Sequence, residues 1–393
     1  MIYFDNAATT PPHPQVIEVI DRVLREEWGN PSSLHHKGFE AEQTLRASTR
    51  EMARILGVAE SSIIFTSCAT ESNNTALRGA VWGKDQPNIL VPVSEHSSVY
   101  TTARHMAEGS LSTAVRGGVG VEVRFLPVDA YGRVRPDQVR KAIDARTALV
   151  AVMQVNNELG SLNPIAELGQ AIKEANPKTL FHVDATQALG KFPIPLAEGQ
   201  VDSFAASAHK IHGPKGIGLL YVRPGLAYPP LLDGGGQMDG RRAGTENVAY
   251  IAGFAKALSL MDRYVKEEQA TIWACYERAC ERIGRIPGAR LNSPTEAPVN
   301  PFLLNVGILG IKAEVLLHMM EEEAYYFSSG SACSLGKASR VIEAIGLSPE
   351  YGEGILRISF GMENRPEEVD PFFDALEKNI AHIRQMTGWR EHA

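Results

Sequence analysis

The feature that most constrains the fold is a regular alternation, between Pro14 and Gly253, of amphipathic stretches with short apolar runs. The clearest runs are SIIF at 62–65, NILV at 88–91, ALVAV at 148–152 and LFHV at 180–183. Short buried runs separated by helical patterns are typical of parallel strands whose sheet is covered by helices. The sequence therefore predicts an α/β fold with a mainly parallel sheet.

One covering helix is predicted at 39–56 and ends at Gly57, because glycine commonly closes helices. Its buried face is expected to carry the large apolar residues of this stretch, namely Phe39, Leu45, Met52, Ile55 and Leu56.

The pattern changes after about residue 255. Two helical stretches lead to an apolar run at 301–306, a helix through Met320, a loop at 328–336 and a strand at 355–360. A last helix from Val369 to Ile383 has apolar residues at i, i+3 and i+4 spacing. We expect residues 14–255 to form a large domain, and residues 1–13 together with 256–393 to form a smaller α+β domain.

Charge and cysteine usage exclude several classes of function. The formal net charge of -7 and the lack of a dense Lys/Arg run argue against nucleic-acid binding. No apolar run approaches membrane-spanning length, and the N-terminus does not resemble a signal peptide. The four cysteines contain no C-x-x-C pair. We expect a cytoplasmic protein without a bound metal, whose partner is a small molecule or another protein.

Lys210 is the first candidate for chemistry. It follows a strand-like run that begins at Val201 and precedes the turn at 213–218, which is rich in glycine. An amine held at such a strand end can be desolvated, which makes it a nucleophile towards aldehydes. The alternative is a turn lysine that points to water. The glycines satisfy neither the dinucleotide fingerprint nor the P-loop pattern.

Polar residues also follow the other predicted strands, at the edge where open α/β sheets bind ligands. Asp184 closes the run at 180–183 and Gln187 follows it; a carboxylate there could keep a pyridine nitrogen protonated, or could simply cap a helix. Small residues at 68–74 could present backbone N–H groups to a phosphate, although ordinary Ser/Thr capping explains the same composition.

Four further residues have two readings each. His96 lies at another strand end and is either catalytic or structural, and Asn157 is either a site residue or a turn residue. Cys333, in a segment of small and polar residues, is either a reachable nucleophile or a surface thiol. Arg357 interrupts an apolar strand and could bind a carboxylate or face the surface. Cys275 and Cys280 lie in a helical stretch and are interpreted as packing residues.

Taken together, these motifs resemble those of the cysteine desulfurases, in the class V aminotransferase-like group of fold-type I pyridoxal phosphate enzymes. The motifs occur in family order as DNAATT at 5–10, GNPSS at 29–33, ATES at 69–72, EH at 95–96, NNE at 156–158, HVDATQ at 182–187, SAHK at 207–210, GT at 244–245 and SSGSAC at 328–333. They span nearly the whole chain. The SSGSAC form resembles the NifS/IscS-type branch.

The resemblance implies a fold-type I architecture with a seven-stranded type of sheet. The large domain would bind pyridoxal 5'-phosphate, and the small domain would carry the catalytic cysteine loop. A homodimer with active sites shared between the subunits is also implied.

The resemblance further implies a role for each candidate residue. Lys210 would hold the cofactor, Asp184 would pair with its ring nitrogen, Gln187 would bond its phenolic oxygen, and His96 would stack on the ring and move protons. The phosphate would be held by Ala69, Thr70, Ser207 and His209, and by Thr245 of the neighbouring subunit. Asn157 and Arg357 would bind the substrate carboxylate.

The implied reaction is the removal of sulfur from L-cysteine. The substrate would displace Lys210, the freed lysine would remove the alpha proton, and the thiolate of Cys333 would attack the substrate sulfur. The products would be alanine and a persulfide on Cys333, for delivery to a sulfur acceptor or an iron-sulfur scaffold protein. Selenocysteine lyase activity and transamination are the alternative reactions, and a protein that binds no cofactor is the third possibility.

Overall fold

The computed structural model describes residues 1–109, 120–330 and 339–389. In these ranges the strands are β1 (Ile2–Tyr3), β2 (Ile63–Thr66), β3 (Asn88–Pro92), β4 (Glu122–Leu126), β5 (Thr147–Met153), β6 (Leu180–Asp184), β7 (Ser203–Ser207), β8 (Gly218–Val222), β9 (Ala289–Leu291), β10 (Leu303–Ile308), β11 (Tyr325–Tyr326), β12 (Ser328–Ser329) and β13 (Ile355–Ser359). The helices are α1 (Pro14–Glu26), α2 (His36–Leu56), α3 (Ala69–Val81), α4 (Ser97–Ala107), α5 (Pro136–Ala142), α6 (Ile165–Ala175), α7 (Val248–Glu267), α8 (Gln269–Ile283), α9 (Ala313–Glu322), α10 (Arg340–Ala344), α11 (Pro349–Gly352) and α12 (Val369–Thr387). Across these same ranges, no helix combines the length and the apolar character needed to cross a membrane.

The central sheet has seven strands in the order β2-β8-β7-β6-β5-β3-β4. Strand β8 runs antiparallel to both of its neighbours, and the remaining neighbours pair in parallel. Every residue of β5 is buried, which explains why its sequence is continuously apolar instead of alternating. The predicted α/β fold with a mainly parallel sheet is confirmed.

The parallel strands bring their following residues to one edge of this sheet. β6 ends at Asp184, and β7 ends at Ser207 and continues into a 3₁₀ turn at Ala208–Lys210. After β3 the chain reaches His96, which caps α4. Because parallel strands place their carboxyl ends together, side chains that are distant in sequence become neighbours here.

A second, antiparallel sheet has the order β12-β13-β10-β9. The N-terminal segment joins this part of the molecule, since β1 pairs with β11 and Asp5 bridges to Ser359. The division into domains at 14–255 remains a proposal, and α7 runs continuously through position 255.

The buried face of α2 differs from the predicted one. Its helix and the end at Gly57, which has a φ of 67°, match the prediction, but Phe39 is 53% exposed. The buried stripe instead contains small residues, among them Gly38 and Ala41, and includes Met52. Small side chains let α7 pack closely against α2, so placing the face by the largest apolar residues was wrong for Phe39.

Gly169 in α6 has a backbone neighbour where a side chain would begin. A Cβ added at Gly169 would lie 1.7 Å from the carbonyl oxygen of Gly199. We expect Gly169→Ala to reduce the free energy of unfolding by about 3 kcal/mol, because backbone atoms must move to relieve the overlap. Urea unfolding measures this change. Gly352→Ala is the control, since nothing lies within 4 Å of that position; equal effects of the two substitutions would contradict the prediction.

Candidate active site

Residues 5–8, just after β1, connect two of the candidate residues. The amine Nζ of Lys210 donates to the carbonyl oxygens of Ala7 and Ala8 at 2.6 and 2.8 Å. At the start of the same segment, Oδ1 of Asp5 accepts a hydrogen bond from Nη2 of Arg357 at 3.0 Å. The side-chain amide of Gln187 also donates to Ala7 O, at 2.9 Å. Lys210 and Arg357, separated by 147 positions in the chain, are therefore held against one short segment.

Lys210 does not behave as a turn lysine surrounded by water. It is half-buried, and its amine donates to two backbone carbonyl oxygens inside the fold. Its backbone lies on the 3₁₀ turn that directly follows β7. The strand therefore determines the place from which the side chain extends.

Asp184 is a buried carboxylate, 6% exposed, at the end of β6. One oxygen accepts from the backbone N–H of Thr186 at 2.9 Å, so the local capping contact considered for this residue does exist. The other oxygen accepts from Nδ2 of Asn73 at 2.7 Å. In the described part of the chain Asp184 makes no ion pair. A buried carboxylate of this kind favours a cationic group bound beside it.

His96 caps α4 through its ring nitrogen Nδ1. This atom accepts from the backbone N–H of Ser98 at 3.1 Å and lies 2.9 Å from the Ser98 hydroxyl. Because Nδ1 accepts a backbone N–H, the single proton of the neutral ring lies on Nε2. Burial lowers the pKa of His96, and the nearby Asp184 carboxylate opposes that effect only in part. His96 therefore has a structural role as the cap of α4, and it also lies at the edge of the sheet where the other candidates are found.

The N-terminus of α3 lies beside the residue that ends β7. The backbone N–H of Ala69 donates to Ser207 Oγ at 2.8 Å. The N-cap residue, Cys68, makes no side-chain capping bond, so ordinary Ser/Thr capping does not account for this turn. Thr70 and His96 line one cavity between α3 and α4. Free N–H groups at a helix start attract anions.

His209 contacts the N-terminal segment next to this helix start. Its Nδ1 lies 3.2 Å from Thr9 Oγ1. Burial, together with the charges of Lys210 and Lys215, lowers the pKa of His209 to about 4. The ring is therefore neutral at physiological pH and can donate a hydrogen bond from one nitrogen.

Arg357 is 7% exposed, which rules out the surface-facing alternative. Besides Asp5, its guanidinium donates to the backbone oxygen of Asn157 at 3.0 Å and to Ser328 Oγ at 3.2 Å. Its Nε atom is buried and lacks an acceptor among the residues described. A planar fork with a free donor is suited to a carboxylate. Asn157 contributes its backbone to this contact, while Asn156 holds the turn.

Thr245 takes no part in the hydrogen bonds given above. Thr245 is exposed, on the loop between the 3₁₀ turn at Gln237–Gly240 and α7. Its neighbour Arg242 pairs with Glu71 in the first turn of α3, with Nε and Oε1 3.0 Å apart. Cys333 lies outside the described residues. In residues 1–109, 120–330 and 339–389 there is no group of three or more His, Cys, Asp or Glu side chains that could hold a metal ion.

The sequence interpretation did not single out three residues that contact the candidates directly or through one other side chain. Asn73 lies in α3 and bonds Asp184, His182 lies within β6, and Asp5 pairs with Arg357. Signals existed for two of them. Asparagine is a weak helix former, so its presence inside a helix was informative. Similarly, a histidine within a buried apolar strand needs a polar partner.

Comparison with known proteins identifies the family. The class-V aminotransferase sequence profile matches residues 2–372. The chain belongs to the class-V aminotransferase family. It is 39% identical to a NifS/IcsS protein homolog of Lactobacillus delbrueckii subsp. bulgaricus, over 98% of this chain and 99% of that protein. It is 37% identical to cysteine desulfurase IscS of Methanosarcina thermophila, over 98% of this chain and 93% of that protein.

Solved structures of similar proteins agree with this assignment to the class-V aminotransferases. A NifS-like protein superposes with a TM-score of 0.89 and 34% identity, covering 97% of this chain and 99% of the other. A structure described as SspA in complex with cysteine superposes with a TM-score of 0.77 and 30% identity, covering 92% of this chain and 99% of that one.

Pyridoxal 5'-phosphate is the cofactor of this class-V aminotransferase-type enzyme, and the observed side chains fit it. The buried Asp184 without an ion-pair partner in the described ranges suits a protonated ring nitrogen. The start of α3 beside Ser207 suits the phosphate. Lys210 presents an amine at the same sheet edge. Which of these residues hold the cofactor remains a prediction.

Two buried neutral histidines make the stability of the fold depend on pH. Burial lowers the pKa of His182 and of His212 to about 4 in the folded protein. The unfolded chain has values of about 6.5, so it binds more protons between these limits. Stability is therefore fully present above pH 6.5 and is lost as the pH falls towards 4, by up to about 3 kcal/mol per pH unit from this pair.

Urea unfolding between pH 5 and 7.5 measures this dependence. We expect His212→Asn to reduce the slope by about 1.4 kcal/mol per pH unit. Asparagine is the suitable replacement because His212 has a φ of 62°, which asparagine tolerates. His382→Asn, at an exposed position, is the control. An unchanged slope in His212→Asn would refute the assignment.

Proposed function

We propose that this class-V aminotransferase family member is a pyridoxal phosphate-dependent cysteine desulfurase, which converts L-cysteine to L-alanine and retains the sulfur as a persulfide on Cys333. The observation that carries the proposal is that residues 5–8 hold Lys210 and Arg357 together. A proton-transferring amine and a carboxylate fork are thereby placed against one segment. The relatives named as cysteine desulfurases match nearly the whole chain and support it.

The proposed site divides its tasks between two groups of residues. Arg357 and Asn157 would bind the carboxylate of L-cysteine, with the unpaired Nε of Arg357 available as an extra donor. Lys210 would anchor the cofactor at rest and then, as a free amine, move the alpha proton. When bound, pyridoxal phosphate supplies an electron sink for the negative charge that develops at the alpha carbon.

The remaining candidates would orient the cofactor. Asp184 would face the ring nitrogen, Gln187 the phenolic oxygen, and His96 one face of the ring. The phosphate would be held by Ala69, Thr70, Ser207 and His209. These assignments are supported by the burial of Asp184 and by the contact of Ala69 with Ser207 at the helix start.

Sulfur transfer requires a thiolate, which Cys333 would supply. A bond forms between the Cys333 sulfur and the substrate sulfur while the substrate carbon-sulfur bond breaks. The electron pair of the broken bond stays with the carbon skeleton, which is protonated and leaves as alanine. Cys333 is left as a persulfide, for iron-sulfur cluster assembly or sulfur trafficking through an acceptor protein. Two of the three cysteines in the described ranges are poor candidates, since burial raises the pKa of Cys275 to about 11 and also raises that of Cys280.

The proposed assembly is a cytoplasmic homodimer in which Thr245 reaches the phosphate of the neighbouring subunit. Thr245 is exposed on its own subunit. Large apolar side chains are also exposed along α1, α2 and their connection: Ile17, Leu24, Trp28, Leu34 and Phe39. A second copy would cover such a surface. Sedimentation equilibrium should give a mass of about twice 42.8 kDa, whereas 42.8 kDa would contradict the proposal.

The decisive assay incubates the purified protein with L-cysteine and a reductant, and measures alanine, sulfide and the absorption spectrum. We expect equal amounts of alanine and sulfide. A parallel reaction with selenocysteine distinguishes selenocysteine lyase activity, and one with an amino acid and an oxo acid distinguishes transamination. Transfer of the amino group without sulfide release would overturn the proposed reaction while leaving the cofactor assignment in place.

A further inference from the structure

Behind Asp184, hydrogen bonds continue through buried side chains to which the proposed function assigns no role. Asn73 is the branch point and is fully buried. Its Nδ2 donates to Asp184 Oδ2 at 2.7 Å and to Ser98 Oγ at 2.8 Å. Its Oδ1 lies 2.9 Å from Nε2 of His182, which is also fully buried. Both N–H donors and one of the two acceptor lone pairs of this amide are therefore occupied by these neighbours.

The donor and the acceptor of each hydrogen bond on the His182 side follow from the protonation states of the groups involved. A carboxylate only accepts, so the amide nitrogen of Asn73 must face Asp184 and its oxygen must face His182. His182 is neutral, because burial lowers its pKa to about 4, and its single proton therefore lies on Nε2. Its Nδ1 then accepts from Ser203 Oγ at 2.8 Å, and Ser203 accepts from the Tyr228 hydroxyl at 3.0 Å.

The other arm leads to His96. Since the Ser98 hydroxyl accepts from Asn73, its own proton is directed to Nδ1 of His96, 2.9 Å away. The same Nδ1 accepts the Ser98 backbone N–H. One amide thus bonds directly to Asp184 and, through a single hydroxyl, orients His96.

We propose that Asn73 is a positioning residue that sets Asp184 and His96 relative to each other, and that His182, Ser203 and Tyr228 hold its amide in the required orientation. This inference rests on the proposed cofactor site. If the amide turned over, its oxygen would face the Asp184 carboxylate, and two acceptors would meet without a proton between them. The tautomer of His182 prevents this reversal.

The expected consequence concerns the charge on the bound ring nitrogen. Donation from Asn73 stabilises the ionised form of Asp184, and an ionised Asp184 keeps the ring nitrogen protonated. When that donation is weakened, the shared proton moves towards the carboxylate and the ring loses positive charge. The nitrogen of Lys210, once joined to the cofactor, is then repelled less by the ring when it is protonated. It therefore takes up its proton at a higher pH.

The last residue in this series of hydrogen bonds is Tyr228, and its position depends on a glycine in the same helix as Asn73. A Cβ at Gly79 would lie 2.7 Å from Cδ1 of the Tyr228 ring. The absence of a side chain in α3 therefore leaves the room in which Tyr228 reaches Ser203.

The experiment compares Ser203→Ala and Tyr228→Phe with two matched controls in the cofactor-loaded protein. Ser62→Ala and Tyr264→Phe each remove a buried hydroxyl that has no hydrogen-bond partner within the described residues. The first readout is the pH midpoint of the visible cofactor absorption. We expect Ser203→Ala to raise it by about half a unit or more, Tyr228→Phe to raise it less, and the controls to leave it unchanged.

Asn73→Ala should give the largest upward shift of the midpoint. It should also weaken the binding of pyridoxal phosphate to the cofactor-free protein by about tenfold, as expected for the loss of a bond to a charged group. Midpoints equal to those of the controls in both Ser203→Ala and Tyr228→Phe would overturn the proposal, and Tyr228→Phe alone decides it if Ser203→Ala does not fold. These readouts need no turnover: shifted midpoints without sulfide release would refute the desulfurase function and preserve this inference.

Discussion

Lys210→Ala is expected to lower the rate of sulfide release from L-cysteine by at least about a thousandfold, because it removes both the anchor of the cofactor and the base that moves the alpha proton. The variant should also lose the borohydride-reducible link to pyridoxal phosphate, which peptide mapping after reduction detects. No other amine is held against Ala7 and Ala8 among the residues whose positions are known.

Lys215→Ala is the matched control, since Lys215 belongs to the same turn and is exposed. It should retain the reducible link and the activity. The strongest competitor for the link is Lys191, a 7%-exposed lysine whose pKa is lowered to about 7 by burial and by the charge of Lys210. A reducible adduct on Lys191 in the wild-type protein would show that the anchor was assigned to the wrong amine.

Cys333→Ala is expected to keep the yellow chromophore of the bound cofactor but to lower sulfide release by at least about a hundredfold, since no thiolate is left to attack the substrate sulfur. Absorption spectroscopy and sulfide assays on the same preparation separate the two effects. Cys68→Ala and Cys280→Ala are the controls, because they remove thiols that the proposed reaction does not use. Full activity in Cys333→Ala would eliminate the persulfide step and would favour the reactions that need no thiol.

Much of the fold was predictable because burial leaves a direct mark on sequence. β5 is buried along its whole length and reads as a continuous apolar run, and α2 ends at Gly57 as predicted. The error at Phe39 has a different origin. The inner face of α2 contains Gly38, which lies against the loop at 30–33, and Ala41, and α7 packs on this helix. The local sequence pattern does not reveal these partners.

The candidate site was predictable only in part. Strand-end positions drew attention to Asp184 and His96, and the structure brings both to one edge of the sheet. The pairing of Arg357 with Asp5 could not be inferred, because those residues are 352 positions apart and neither belongs to a shared local pattern. Nor could composition indicate that Asn73 bonds Asp184.

Local periodicity and the order of the motifs along the chain are sufficient to establish the class of fold, the family and the residue types available for chemistry. Which of those residues meet depends on the tertiary structure. It placed the amine of Lys210 and the guanidinium of Arg357 on residues 5–8. It also determined the hydrogen-bond directions around Asn73, since those depend on burial and on contacts between strands and helices far apart in sequence.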